Sequence, residues 1–141
     1  MAEYKAGIIG LGFIGAADQV SGDALGQEVE DLDGTHLVAL DHHPQVEVVA
    51  GSSRDEGRRE RFAARTEAKT YTDWRELLAQ EQLDIVSVTT PALARAEPLI
   101  FAAEHGVRGL YSEKGLCASL EEAARIRAAC RANGVAFNWG A

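Results

Sequence analysis

The stretch Tyr4-Lys5-Ala6-Gly7-Ile8-Ile9-Gly10-Leu11-Gly12-Phe13-Ile14-Gly15 decides how the rest of the chain is read. Tyr4 to Ile9 is a short apolar run that stops at glycine, the pattern of a strand buried on both faces. Glycines at 10, 12 and 15 follow at once. In a strand–turn–helix unit of this spacing each glycine has a task. One allows the tight turn, the second lets backbone amides approach a pyrophosphate, and the third lets the helix pack close. Amide donors at a helix start then face the phosphate charge. Gly10, Gly12, Phe13 and Ile14 are therefore the candidate pyrophosphate-binding residues. Glycine turns are common, so the motif gains its weight only from what surrounds it.

What surrounds it is a regular alternation. Val46 to Ala50, Thr70-Tyr71, Asp84 to Thr89, Val107 to Tyr111 and Val135 to Asn138 read as further strands. Between them Arg54 to Arg65, a segment capped by Asp73, a segment running to about His105, and Ser119 onward read as helices. Ser119 with Glu122 three residues later is a capping box. Leu120, Ala123, Ile126 and Cys130 fall near one stripe of that last helix. Six strands separated by helices predict an α/β fold: a doubly wound, mostly parallel sheet in a single three-layer domain.

Residues 16 to 34 break the rhythm, with six acids, no base and three glycines. They read as an acidic insertion on the surface, followed by a short helix from Thr35 to His43. Asp31-Leu32-Asp33-Gly34-Thr35 resembles the nucleophile motif of haloacid-dehalogenase-type phosphatases. That chemistry needs the first aspartate at the tip of an apolar strand, and Gln27-Glu28-Val29-Glu30 is not one, so the match reads as coincidence.

Composition sets outer limits. The 141 residues carry 14 Lys and Arg against 22 Asp and Glu, a net charge of −8 that repels phosphate backbones and anionic lipid. Neither a nucleic-acid nor a membrane partner is expected, since no apolar run approaches the roughly 18 residues of a membrane helix. Cys117 and Cys130 are too few for a disulfide scaffold, and no Cys/His cluster suggests a metal. With no signal-peptide pattern at the start, the chain reads as cytoplasmic.

The second strand tests the glycine motif. A residue reading the adenine ribose should lie about 20 positions past the last glycine. Ser53 is 38 positions past Gly15, and removing the 19 residues of the acidic segment leaves 19. Ser53-Arg54 stand there in place of the acid that would bind both ribose hydroxyls. A hydroxyl and a guanidinium suit a 2′-phosphate instead, which favours NADP over NAD as the cofactor. The competing reading has Arg54 merely opening a solvated helix with Arg58 and Arg59.

Taken together, GLGFIG, VEVVAGSSRD, TYTDWRELL, DIVSVTTPA and YSEKG resemble the N-terminal domain of the glucose-fructose oxidoreductase/inositol dehydrogenase (Gfo/Idh/MocA) family. The resemblance covers nearly the whole chain apart from the acidic segment. It implies a Rossmann domain of an NAD(P)-dependent oxidoreductase that passes hydride between a nicotinamide cofactor and a sugar- or polyol-like substrate. It further implies that Thr90 and Pro91 lie beside the nicotinamide half of the cofactor. Glu113 and Lys114 match the family's Glu-Lys pair, with Lys114 as the catalytic cation. Two positions depart from the pattern: Gly115 stands where the family has proline, and Arg95 where many members have histidine. The family's substrate domain, with its acid/base residues, has no counterpart, so a second domain or partner chain is implied. A non-catalytic nucleotide-binding module, or a degenerate domain that binds nothing, are the alternatives.

Overall fold

The computed structural model describes residues 2–20 and 34–140. Asp31 and Asp33 of the phosphatase-like pentapeptide, with most of the acidic segment, lie outside them. Along the chain run β1 (Tyr4–Ile9), α1 (Phe13–Ala16), α2 (His36–Asp41), β2 (Val46–Ser52), α3 (Glu56–Arg65), β3 (Lys69–Tyr71), α4 (Trp74–Gln80), β4 (Ile85–Val88), α5 (Ala96–Glu104), β5 (Gly109–Ser112), α6 (Leu120–Ala132) and β6 (Ala136–Trp139). The strands form one sheet in the order β3-β2-β1-β4-β5-β6, with every pair parallel. This is the doubly wound α/β topology that the alternation predicts.

Alternation along β1 divides the core into its two layers. Ile8 faces one way, onto Leu11 of the glycine turn, Ala16 of α1, Leu37 of α2 and Phe62 of α3. Ile9 faces the other, into the larger cluster with Leu77 of α4, Leu99 and Ala102 of α5, and Ile126 of α6. The helix starts follow local chemistry. The carboxylates of Asp55 and Asp73 accept from the amides of Arg58 (2.8 Å) and Arg75 (2.9 Å). Ser119 Oγ accepts from the Glu122 amide at 3.1 Å, while the Glu122 carboxylate reaches back to the Ala118 amide at 2.7 Å. Gly106 (φ +87°) and Gly134 (φ +63°) follow the ends of α5 and α6 in the left-handed conformation.

After β4 a short 3₁₀ turn, Ala92–Ala94, precedes α5, which ends at Glu104. Leu120 is 90% exposed and is not part of the α6 stripe. At 3.6 residues per turn, six residues place it roughly 120° from Ile126. The buried face of α6 is Ile126, Ala129 and Cys130.

The beginning of the acidic segment is not a surface loop. α1 stops after four residues at Ala17, whose φ is +57°, and Asp18 is completely buried. Its carboxylate accepts from Arg61 Nε (2.7 Å) and Nη2 (2.8 Å), with Arg65 at 3.5 Å. Arg65 also donates to the carbonyls of Ala16 and Ala17. α3 thus holds the end of α1 through two guanidiniums. The hydrogen bond from Arg61 holds the Asp18 carboxyl below the usual carboxylate range, against the opposing effect of burial.

Two outcomes follow from this geometry. A carboxyl held low stabilises the fold above the ordinary aspartate pKa, and that contribution is lost as pH falls through the depressed folded value. Asp18→Asn is therefore expected to lower Tm by several degrees at pH 7 and to flatten the wild-type loss of stability below about pH 4, followed by circular dichroism. Gly15→Ala is expected to destabilise by about 1–3 kcal/mol in urea. A Cβ at Gly15 would lie 2.3 Å from both the Gly10 carbonyl oxygen and Thr89 Oγ1.

Candidate nucleotide-binding site

Pairing puts one row of residues across the sheet: Tyr71, Ser52, Ile9, Val88, Ser112 and Trp139 stand side by side near the carboxyl ends of the six strands. The residues singled out from the sequence follow that row by one or two positions. Gly10 leaves β1, Ser53 and Arg54 leave β2, Thr90 leaves β4, and Glu113 and Lys114 leave β5. The strand order reverses between β1 and β4, so a crevice at this edge is where such sheets take ligands.

At the centre, Gly10 adopts φ +101°, a conformation L side chains rarely take. A Cβ there would also meet Thr89 Oγ1 at 2.8 Å and the Thr90 amide nitrogen at 3.0 Å. Thr89 donates its hydroxyl to the Gly10 carbonyl (2.7 Å) and its amide to the Ile9 carbonyl (2.8 Å). β4 thereby fixes the turn from beside it, a role the sequence reading gave to glycine alone. Gly12 is extended and precedes α1, and Phe13 and Ile14 form its first turn. First-turn amides have no acceptor within their own helix. An anion here would meet individual N–H groups, since a four-residue helix has little dipole to add.

At the β2 end, the Ser53 amide donates to the Tyr71 carbonyl at 3.1 Å, and the Ser53 carbonyl accepts from Arg59 Nη1 at 2.7 Å. Ser53 Oγ accepts from the Asp55 amide at 3.2 Å. The Asp55 carboxylate is turned away to cap α3. Arg54 is exposed at the tip, with Arg58 and Arg59 on the first turn of α3 behind it.

At the β5 end, two side chains that were not selected from sequence organise the loop. His36, at the start of α2, is buried; its Nε2 pairs with Glu113 Oε1 at 2.9 Å. Its ring meets that of Tyr111 edge-on, with centroids 4.7 Å apart. Glu113, expected at the nicotinamide end, has its carboxylate in this pair and accepts through Oε2 from the Lys114 amide at 3.3 Å. Arg95 is 4% exposed. Its Nε donates to the Thr90 carbonyl at 3.0 Å and its Nη1 to the Glu113 carbonyl at 2.6 Å. Further contacts reach the carbonyls of Thr90 and Gly115. Burial pulls its guanidinium pKa down, opposed by the charge of Glu113 and by Cys117. Lys114 is exposed, and its ammonium makes no ion pair among the described residues.

Pro91 and Leu93 flank the crevice on the β4 side, with Leu93 86% exposed. His105 stacks on Phe101, and His42 ends α2, both away from this edge. Cys130 is buried, which pushes its thiol up, and Cys117 donates to the Ser119 carbonyl. Among the described residues no His/Cys/Asp/Glu group is arranged to hold a metal, and no helix is long and apolar enough to cross a membrane.

The family model for oxidoreductases with an NAD-binding Rossmann fold (GFO_IDH_MocA) matches residues 4–140. Inositol 2-dehydrogenase of Salmonella typhimurium is 28% identical over 130 residues, covering 92% of this chain and 34% of its own length. The chain thus spans about a third of the length of the curated relatives it matches. A 3-ketoreductase from Actinomadura kijaniata, solved with NADP and TDP-benzene, superimposes with a TM-score of 0.74 at 27% identity, covering 97% of this chain and 37% of that one. The WlbA dehydrogenase of Bordetella pertussis, solved with NADH and UDP-GlcNAcA, shares the fold with a TM-score of 0.78 at 22% identity, covering 98% of this chain and 37% of that one. With this sheet order and a family match over residues 4–140, the chain belongs to the Gfo/Idh/MocA oxidoreductase family, as its NAD-binding Rossmann domain.

Proposed function

We propose that this domain binds a nicotinamide dinucleotide along the carboxyl edge of its sheet, NADP in preference to NAD, and supplies Lys114 to the reaction of a larger oxidoreductase. The observation that carries the reading is the single row across β3-β2-β1-β4-β5-β6. It sets a guanidinium-bearing tip, a glycine turn with a positive φ, and a free ammonium on one edge, in the order in which a dinucleotide presents its parts. The residues fit the group: the Gly10 turn leaves no room for a Cβ, and the amides of Gly12, Phe13 and Ile14 are the donors a pyrophosphate needs. Ser53 and Arg54 take the adenosine end, and Thr90 with Pro91 the nicotinamide end.

When bound, the cofactor supplies or accepts the hydride. The chain's own contribution is positioning and charge. Lys114 stabilises negative charge on the substrate oxygen as a carbonyl is reduced or an alcohol oxidised, and can carry the proton that accompanies it. Glu113 serves it indirectly, by holding the loop through His36 and through the Lys114 amide. A sugar- or polyol-like substrate is the class we favour, held against this edge by a second domain or a partner chain. Without that wall a substrate is not oriented.

The preference for NADP is supported at the β2 tip. Arg54 stands exposed with Arg58 and Arg59 beside it, and the Asp55 carboxylate is directed to its capping bond. A guanidinium–phosphate contact contributes on the order of 1.5–3 kcal/mol. Titration of the chain with NADPH and NADH, followed by nicotinamide fluorescence at low salt, is expected to give tighter binding of NADPH. Arg54→Asp is expected to weaken NADPH by roughly tenfold or more and to strengthen NADH. Unchanged relative affinities would remove the specificity assignment. No binding of either cofactor by the folded chain would remove the proposed function.

A further inference from the structure

Arg95 is a fully committed guanidinium in an unusual place. It is buried, and its acceptors are the backbone carbonyls of Thr90, Glu113 and Gly115 rather than a carboxylate. Desolvating a charge that takes no direct ion pair is unfavourable. What the position gains is geometric. The forked donors bind the loop after β4 to the loop after β5, two segments that no strand pairing joins beyond Val88 and Ser112. Two of the carbonyls it takes belong to the residues on either side of Lys114.

Gly115 is the joint that makes this matter. Its φ lies outside the left-handed region, and a Cβ there would meet nothing within 4 Å, so neither strain nor crowding calls for glycine. Glycine leaves the backbone after Lys114 freer than any other residue would. Tying down its carbonyl is a direct way to remove that freedom.

We infer that Arg95 is the positioning residue for Lys114, fixing the loop at 113–115 from the β4 side by bonding the carbonyls on either side of the lysine. His36 holds the same loop from the opposite direction, through the Glu113 side chain. The loop is gripped at its backbone by one and at its carboxylate by the other. The ammonium is exposed and bonded to neither. The catalytic meaning of this clamp rests on the proposed role of Lys114; the clamp itself does not.

The experiment uses the whole chain in four forms: wild type, Arg95→Lys, Gly115→Pro and the double variant. Lysine keeps the charge, so it spares folding better than an apolar residue, but it offers its donors from a single nitrogen and lacks the planar fork that spans the two loops. Amide hydrogen exchange without cofactor is the first readout. Arg95→Lys is expected to raise exchange across 113–117 at least tenfold while the strands change little. Gly115→Pro alone is expected to change it less than threefold. In the double variant it is expected to return most of the protection, because restricting φ at 115 replaces the lost tie. Unchanged exchange at 113–117 in Arg95→Lys overturns the inference. So does a uniform rise along the whole chain without rescue by proline, which marks Arg95 as a packing residue only.

The second readout is the lysine itself. The chain has three lysines, Lys5, Lys69 and Lys114, and Arg95→Lys adds a fourth, so reductive methylation with ¹³C gives few enough signals to follow Lys114 by NMR. NADPH is expected to shift the Lys114 signal in wild type and in the double variant, and to leave it unshifted in Arg95→Lys at equal saturation. An equal shift in all forms overturns the inference. If wild type binds neither NADPH nor NADH, the proposed function fails by itself, and the exchange data alone decide the clamp.

Discussion

Everything at the functional edge depends on how closely β4 approaches the turn after β1. The Thr89 hydroxyl on the Gly10 carbonyl, and the absence of any space for a Cβ at Gly15, bring the end of one strand and the start of the next helix into direct contact. A threonine suits the position because its β-branched side chain is stiff at χ1 and carries a donor. With that contact made, the amides after Gly10 and the loop after Val88 become parts of one crevice. Loosen it, and the turn and the Thr-Pro loop are two unrelated surface segments.

Away from that contact the site is held by arginines used as staples. Arg61 and Arg65 fasten the end of α1 to α3, partly through Asp18 and partly through the Ala16 and Ala17 carbonyls. Arg95 does the same between the loops of β4 and β5. In each case a planar, multiply donating cation joins segments that regular backbone pairing does not, the chain just past α1 in one and the loops after β4 and β5 in the other. Such staples add less to net stability than their hydrogen bonds suggest, because desolvation opposes them. What they add is a fixed relation between segments, which a binding edge needs more than a core does.

The fold was legible because β1, β2 and β4 are apolar runs closed by Gly, Gly-Ser-Ser and Thr-Thr-Pro, and because caps such as Asp73 and Ser119 use only local residues. The positions of Gly10, Ser53, Thr90 and Glu113 on one edge were legible for the same reason, since each follows a strand end directly. What sequence could not supply was partnership across long separations. Asp18 bonds a residue 43 positions away and His36 one 77 positions away, and neither distance leaves a local signature. Asp18 was hidden further by its company, because an acid at the head of an acidic run reads as solvated. Arg95 was noticed only as an odd residue. Its carbonyl partners lie on the loops after β4 and β5, up to 20 positions away, and it follows a 3₁₀ turn at Ala92–Ala94 that no local pattern announces. The misplaced Leu120 has a simpler cause, since two successive steps of three residues accumulate a rotation of roughly 120° from Ile126 and carry it off the buried stripe.

The charge distribution joins these strands of the argument. The molecule is acidic by eight charges, yet its carboxyl edge carries cations at both ends: Arg54, Arg58 and Arg59 beyond β2, and Lys114 with buried Arg95 beyond β5. Two carboxylates beside those cations in the chain are engaged, Asp55 in capping α3 and Glu113 with His36. Cations at the two ends of an edge attract an oppositely charged ligand and orient it. A molecule with phosphates at its centre and at one end would arrive already aligned with the glycine turn, and its uncharged ring would fall beside the lysine.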